Sequence, residues 1–130
     1  MQISHFDHLV LTVADLDRTC RFYRQVLGME EITFGPGRRA LRYGPHKINL
    51  HQVGAEVRPH AQTPTPGSGD MCFLLATALD AAMAHLQALN VPVLDGPVLR
   101  TGATGPIRSL YIRDPDGNLI ELSVPAAPVD

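Results

Sequence analysis

Apolar and polar residues alternate along this chain with two different periods, and the order in which those periods change predicts its elements. Phe6 to Val13 is rich in apolar and β-branched residues and stops at Asp15, the pattern of a mostly buried strand. Leu16, Phe22, Tyr23, Val26 and Leu27 then recur at helical spacing, with Asp15 placed to cap the first turn and Gly28 to end the helix in a left-handed conformation. Short strands are expected at Glu30–Phe34, Arg39–Tyr43 and Lys47–Gln52. The Gly-Pro-Gly of residues 35–37 and Gly44-Pro45 separate them, and separators this short favour antiparallel hairpins. From Gly54 to Gly69 the periodicity disappears while Pro59, Pro64, Pro66, Gly67 and Gly69 accumulate, which predicts a linker.

The pattern then restarts. Asp70–Leu75 reads as a strand, and Leu79, Ala82, Met83, Leu86 and Leu89 as one face of a helix that Asn90 can cap. Further strands are expected at Val91–Leu94, Ser109–Arg113 and Leu119–Val124, with a glycine-bearing loop from Gly96 to Pro106. Lys47 to His51 lines up with Leu119 to Ser123, so both halves end alike as well as begin alike. The expectation is an α+β domain of two tandem β-α-β-β-β modules, about 4–54 and about 70–125, joined by a linker at about 55–69. Each module has a sheet face that it cannot bury alone, and pairing two of them supplies the missing half as a curved mixed sheet around a cavity.

Composition narrows the partners. A chain of 130 residues can bury a core without disulfide staples, and a net charge of −2 with no Lys/Arg block argues against nucleic acid or an anionic membrane surface. The two cysteines, Cys20 and Cys72, have apolar neighbours and read as buried free thiols. Neither a leader-type start nor an apolar run of membrane-spanning length is visible, so the default location is the cytoplasm and the default partner a small molecule.

Three stretches carry a family resemblance: Phe6 to Val13 with His8; Asp15-Leu16-Asp17 with Phe22-Tyr23 leading to Gly28; and Tyr111 to Leu122 around Asp114-Pro115-Asp116-Gly117-Asn118. In these the chain resembles the vicinal oxygen chelate superfamily, which includes glyoxalase I, fosfomycin- and bleomycin-resistance proteins and extradiol ring-cleaving dioxygenases. Within it, the chain is most similar to small glyoxalase-domain-containing proteins. The last stretch has its own physics, because proline and glycine there form a turn that reverses the chain into the final strand and so aims Glu121.

The resemblance implies a divalent metal (Zn, Ni, Mn or Fe) held from the first and last strands of each module, near His8, Asn49, Asp70 and Glu121. His8 and Glu121 are donors of the kinds such ions use. Asn49 stands where the family has a carboxylate or histidine, and Asp70 where it often has a histidine; a register slip of one residue would present Met71 instead of Asp70. His51 lies on the same strand face as Asn49, either as a ligand completing a His8, His51, Glu121 triad or as a substrate contact.

The function so implied is a metal-dependent, glyoxalase-like lyase or isomerase. It would chelate a small carbonyl-containing metabolite through two oxygens, with Glu121 or His51 exchanging protons. Asn49 and Arg100 are expected in the substrate pocket, with the Gly102 to Gly105 loop as a mobile cover. The rival readings are a metal-free drug or metabolite binder, against which the 5% aromatic content weighs, and an extradiol-type dioxygenase. His5, His46, His60 and His85 read as solvated, Tyr43 and Tyr111 as packing, and Arg113 as an ion-pair partner of Asp114 or Asp116. Short chains of this kind pair as homodimers, which is expected here too.

Overall fold

The computed structural model describes residues 1–127 of the chain. It contains two compact units, the first Met1–Gly67 and the second beginning at Ser68. Each unit is a four-stranded mixed sheet with one helix, so the chain is α+β, with two tandem β-α-β-β-β units. Among the described residues no helix is long and apolar enough to cross a membrane.

The first unit runs β1 (His8–Val13), α1 (Leu16–Gln25), β2 (Glu30–Phe34), β3 (Arg38–Tyr43) and β4 (His46–Gln52). Its strand order is β1-β4-β3-β2, with β1 and β4 parallel and the hairpins antiparallel. Asp15 caps α1 as expected, its carboxylate accepting from the Arg18 amide at 2.9 Å. The helix ends where Gly28 takes a φ of +68° and the Met29 amide reaches back to the Tyr23 carbonyl. Leu11, Val13, Ile48 and Leu50 turn one sheet face inward to the core that also holds Cys20 and Tyr23. β1 alternates rather than being mostly buried: His8 and Val10 are exposed while Leu11 and Val13 are buried, because only one face of the strand meets the core.

The second unit repeats this order with β5 (Asp70–Leu74), α2 (Leu79–Ala88), β6 (Asp95–Thr101), β7 (Pro106–Arg113) and β8 (Leu119–Pro125), arranged β5-β8-β7-β6. One expected strand is displaced. Residues 91–94 form no strand, since Asn90 adopts φ +56° and the Val91 amide bonds back to Leu86, so this stretch completes the helix end. The strand lies instead at Asp95–Thr101, inside the stretch read as a loop. Gly96 and Pro97 hide it from pattern reasoning. At an edge strand with a register shift between Asp95 and Val98, however, a proline need not donate to a ladder.

The turn before β8 is built around the buried Asp114. Its Oδ1 accepts from the Asp116 and Asn118 amides, both at 2.9 Å, and its Oδ2 from the Asn118 side chain at 2.7 Å. Asn118 in turn accepts from the Gly69 amide at 2.7 Å, and the Leu119 amide donates to the Gly69 carbonyl. One turn therefore fixes the start of β8 and the start of β5 together. Arg113 donates to the Gly117 carbonyl at 3.1 Å, bracing the same turn.

Candidate functional site

Strand register determines which side chains share a face. In the first unit β1 pairs with β4 so that His8 faces Lys47, Val10 faces Asn49 and Thr12 faces His51. Side chains of this set all project from the sheet face opposite the helix. In the second unit Asp70 pairs with Leu119, Cys72 with Glu121 and Leu74 with Ser123. Asp70 is thus on the face of Glu121, and Met71, paired with Ile120, is on the other. The two units repeat one geometry: a donor opens the first strand, and a second donor sits on the last strand two residues beyond its partner. His8 with Asn49 makes one such pair and Asp70 with Glu121 the other. His51 lies two residues further along, at the position that Ser123 takes in the second unit.

In the first unit, the Nδ1 of His8 lies 2.7 Å from the Asp7 carboxylate, which leaves Nε2 outward. This is the orientation that a neighbouring carboxylate gives to ligating imidazoles. The same contact holds the Asp7 carboxyl below its usual range. Asn49 and His51 are each only 5% exposed. Among the described residues, neither the Asn49 Oδ1 nor either ring nitrogen of His51 has a hydrogen-bond partner. Burial, with a smaller push from the Arg38 and His60 charges and an opposing pull from Glu56, lowers the His51 pKa and keeps the ring neutral at pH 7. His51 lines a cavity of about 300 Å³ with Val10, Thr12, Pro59, His60 and Ala61.

His60 is exposed, as expected, and it also lines this cavity, which was not expected. The aperiodic, proline-rich stretch that reads as a linker turns back over its own sheet and brings His60 to the cavity. Its Nδ1 donates to the Ala61 carbonyl at 2.8 Å. Nothing in the local sequence signals this, because proline content marks irregular backbone without saying where it goes.

In the second unit, Ser109 donates to the Glu121 Oε2 at 2.6 Å and lies 2.7 Å from the Ser123 hydroxyl, which is 3.3 Å from the Cys72 sulfur. Ser109 has one hydroxyl proton, and Glu121 takes it. Ser123 must therefore donate to Ser109, and the Cys72 thiol to Ser123. Glu121, as acceptor, thus orients the whole row. Cys72 is exposed, not buried as expected, because it shares the Glu121 face rather than the core face; Cys20 is buried. Burial of its sulfur environment raises the Cys72 pKa, so the thiol stays protonated at neutral pH.

A cavity of about 460 Å³ brings Glu121 and Cys72 together with Arg100 and the 101–104 turn. Arg100 lies on β6 and is already engaged: Nε donates to the Tyr111 hydroxyl at 3.0 Å and Nη2 lies 3.7 Å from Asp95. Tyr111, paired with Glu121 across the ladder, belongs to the site face rather than to packing. The Gly102 to Gly105 loop expected as a cover is a tight hairpin turn, closed by the Gly102 amide on the Gly105 carbonyl at 2.8 Å. Among the described residues, no three His, Cys, Asp or Glu side chains are gathered so as to hold a metal ion by themselves.

Two copies of a β-α-β-β-β unit, each a four-stranded mixed sheet with one helix, define a class of α+β fold built by duplication. The comparisons name that class. Residues 5–122 match the Glyoxalase/Bleomycin resistance protein/Dioxygenase superfamily, and the chain belongs to it. It is 52% identical over 123 residues to Virulence protein STM3117 of Salmonella typhimurium, covering 95% of this chain and 85% of that one. The crystal structure of STM3117 superposes with a TM-score of 0.95, covering 97% of this chain and all of that one, at 51% identity. A lactoylglutathione lyase from Agrobacterium tumefaciens is similar at 28% identity and a TM-score of 0.72, covering 95% of each chain. TnmS3, an antibiotic binding protein from a Streptomyces strain, is similar at 27% and 0.75, covering 97% of this chain and 99% of that one.

Proposed function

We propose that the chain is a metal-dependent, glyoxalase-like lyase or isomerase that acts on a small carbonyl-containing metabolite. The observation that carries this reading is the repeated donor pair, His8 with Asn49 and Asp70 with Glu121, at equivalent register positions on equivalent faces. Other features agree with it. The Asn49 Oδ1 is a buried acceptor without a donor, which a cation would satisfy, and Asp7 presets His8 to present Nε2. An imidazole with an amide oxygen in the first unit, and two carboxylates in the second, are donors of the kinds that Mn²⁺, Ni²⁺, Fe²⁺ or Zn²⁺ take. Such an ion, when bound, would supply Lewis acidity toward the substrate's oxygens.

The remaining work falls to this chain's own side chains. His51 is neutral and unpartnered, so it is ready to take a proton from carbon or oxygen; its register separates it from His8 by four steps along β4, about 13 Å. We therefore assign it to proton transfer rather than to the ion. Ser109 holds one oxygen of Glu121 still, leaving the other for the ion or the substrate. Lyase-type chemistry is further supported by the likeness to the Agrobacterium lactoylglutathione lyase. The same donor positions repeated in two units fit a homodimer, in which light scattering would find twice the chain mass.

The test is metal analysis of chain reconstituted with each ion, for the unaltered protein and for H8A and E121A. Stoichiometric metal that both variants lose supports the reading. Full occupancy in both variants overturns the assigned ligands. A metal-free binder is the second reading, favoured by the likeness to TnmS3 and by the absence, among the described residues, of a gathered ligand cluster. Failure of every ion to bind would select it.

A further inference from the structure

The cavity of the first unit carries binding groups that the assigned metal ligands leave unused. Its walls at Val10, Pro59 and Ala61 are apolar, and its polar atoms come from Thr12, His51 and His60. At the bottom lies His51, 95% removed from solvent, with one ring N–H and one ring lone pair unanswered among the described residues. A buried polar group left unpaired costs about 1–3 kcal/mol, a deficit that a ligand oxygen accepting from this N–H would remove.

Arg38 opens β3 on the face shared by Ala40 and Asn49, and its charge reaches His51. Among the described residues Arg38 has no carboxylate partner; its guanidinium sits 4.9 Å from the Phe34 ring centre, a contact that leaves its N–H edge free to bind an anion. The acid whose charge bears on His51, Glu56, has its carboxylate accepting from the Gly54 amide at 3.0 Å, and among the described residues no acidic side chain lines the cavity. His60 gives its Nδ1–H to a backbone carbonyl and so, when neutral, offers the cavity only a lone pair.

We propose that this cavity binds a small monocarboxylate with a short apolar chain, its charge facing Arg38, one oxygen accepting from His51, and its hydrocarbon against Val10, Pro59 and Ala61. The free N–H edge of the Arg38 guanidinium, beside the unpartnered His51 ring, matches the planar pair of oxygens of a carboxylate. A tetrahedral phosphate would turn further oxygens toward the apolar walls, and an uncharged alcohol or amide would leave Arg38 unused. The volume is near the lower end for ligand cavities, about 300–1,000 Å³, and so suits a molecule of few carbons. The inference names the substrate class for the site proposed above and rests on that reading for its catalytic meaning, but the binding step needs no metal.

The test uses the full chain stripped of metal with a chelator, titrated with butyrate, butyramide, 1-butanol and inorganic phosphate by calorimetry, with the His51 ring resonances followed by NMR. Saturable butyrate binding that moves the His51 resonances, at least tenfold tighter than butyramide or phosphate and weakened at least tenfold in R38Q, supports the site. The inference is overturned if butyramide or phosphate binds as tightly as butyrate, if folded R38Q binds butyrate unchanged, or if nothing binds. Should R38Q fail to fold, the acid-against-amide comparison on the unaltered chain decides by itself. Metal uptake by H8A and E121A is read separately, so loss of the metal reading leaves a positive butyrate result standing, and the reverse also holds.

Discussion

Replacing Asp114 tests whether the turn before β8 sets the site as well as the fold. The carboxylate is 6% exposed and accepts from two backbone amides and the Asn118 side chain. Hydrogen bonds to a charged group contribute about 1.5–3 kcal/mol each, and three that share one carboxylate are not additive, so Asp114→Ala should lose about 3–5 kcal/mol. Against a total of about 5–15 kcal/mol for a typical domain, that is a large share. Asp114→Asn keeps an acceptor oxygen for the backbone and should lose about half as much. Urea unfolding followed by circular dichroism measures both, with the midpoint falling and the slope unchanged. The same turn ties Gly69 to Asn118, so metal or ligand binding through Asp70 and Glu121 should weaken in D114A even where the chain remains folded. A D114A loss below about 1 kcal/mol would refute the reasoning, because three buried acceptor bonds cannot be removed that cheaply.

Three further outcomes are expected. The His51 pKa is lowered by folding, so the stability that the neutral ring provides is complete above its unfolded value of 6.5 and is lost as pH falls below that, until the folded value is passed; unfolding measured across this range should show a decline that H51F reduces. Iodoacetamide should label native protein at Cys72 and spare Cys20 until denaturant is added, with the Cys72 rate still climbing above pH 9.0, as mass spectrometry of timed samples would show. Gly96 has φ +103° and a Cβ there would strike the Ser109 carbonyl oxygen, so G96A should lower stability by about 2–4 kcal/mol in urea titration; an unchanged midpoint would count against the observed β6 register.

The first unit was legible in detail because its signals are local. Asp15 and Gly28 bracket α1, the glycine and proline separators mark two hairpins, and alternation in β4 put Asn49 and His51 on one face. The second unit was legible at β5, α2, β7 and β8 but not at β6. There, Gly96 and Pro97 look like loop chemistry, and only pairing with β7, a distant stretch of chain, makes the segment a strand. The exposure of Cys72 depended on which strand β5 joins, since apolar neighbours in sequence say nothing about which sheet face is covered. The choice between Asp70 and Met71 rested on register, which the Asp114 turn fixes through Gly69. The position of His60 depended on the path of an aperiodic stretch, which carries no pattern to read.

Parallel pairing of the first strand with the last in each unit has a consequence for how the chain acquires its chemistry. β1 gains its neighbour only after more than thirty intervening residues have been made, and β5 likewise awaits β8. Closing such a long loop is repaid only when the final strand docks. A nascent chain that stops short of β8 would lack not just Glu121 but a fixed place for Asp70, whose strand has no other partner in its sheet. Placement of the donor side chains should therefore emerge one unit at a time, each half becoming ordered late and as a whole.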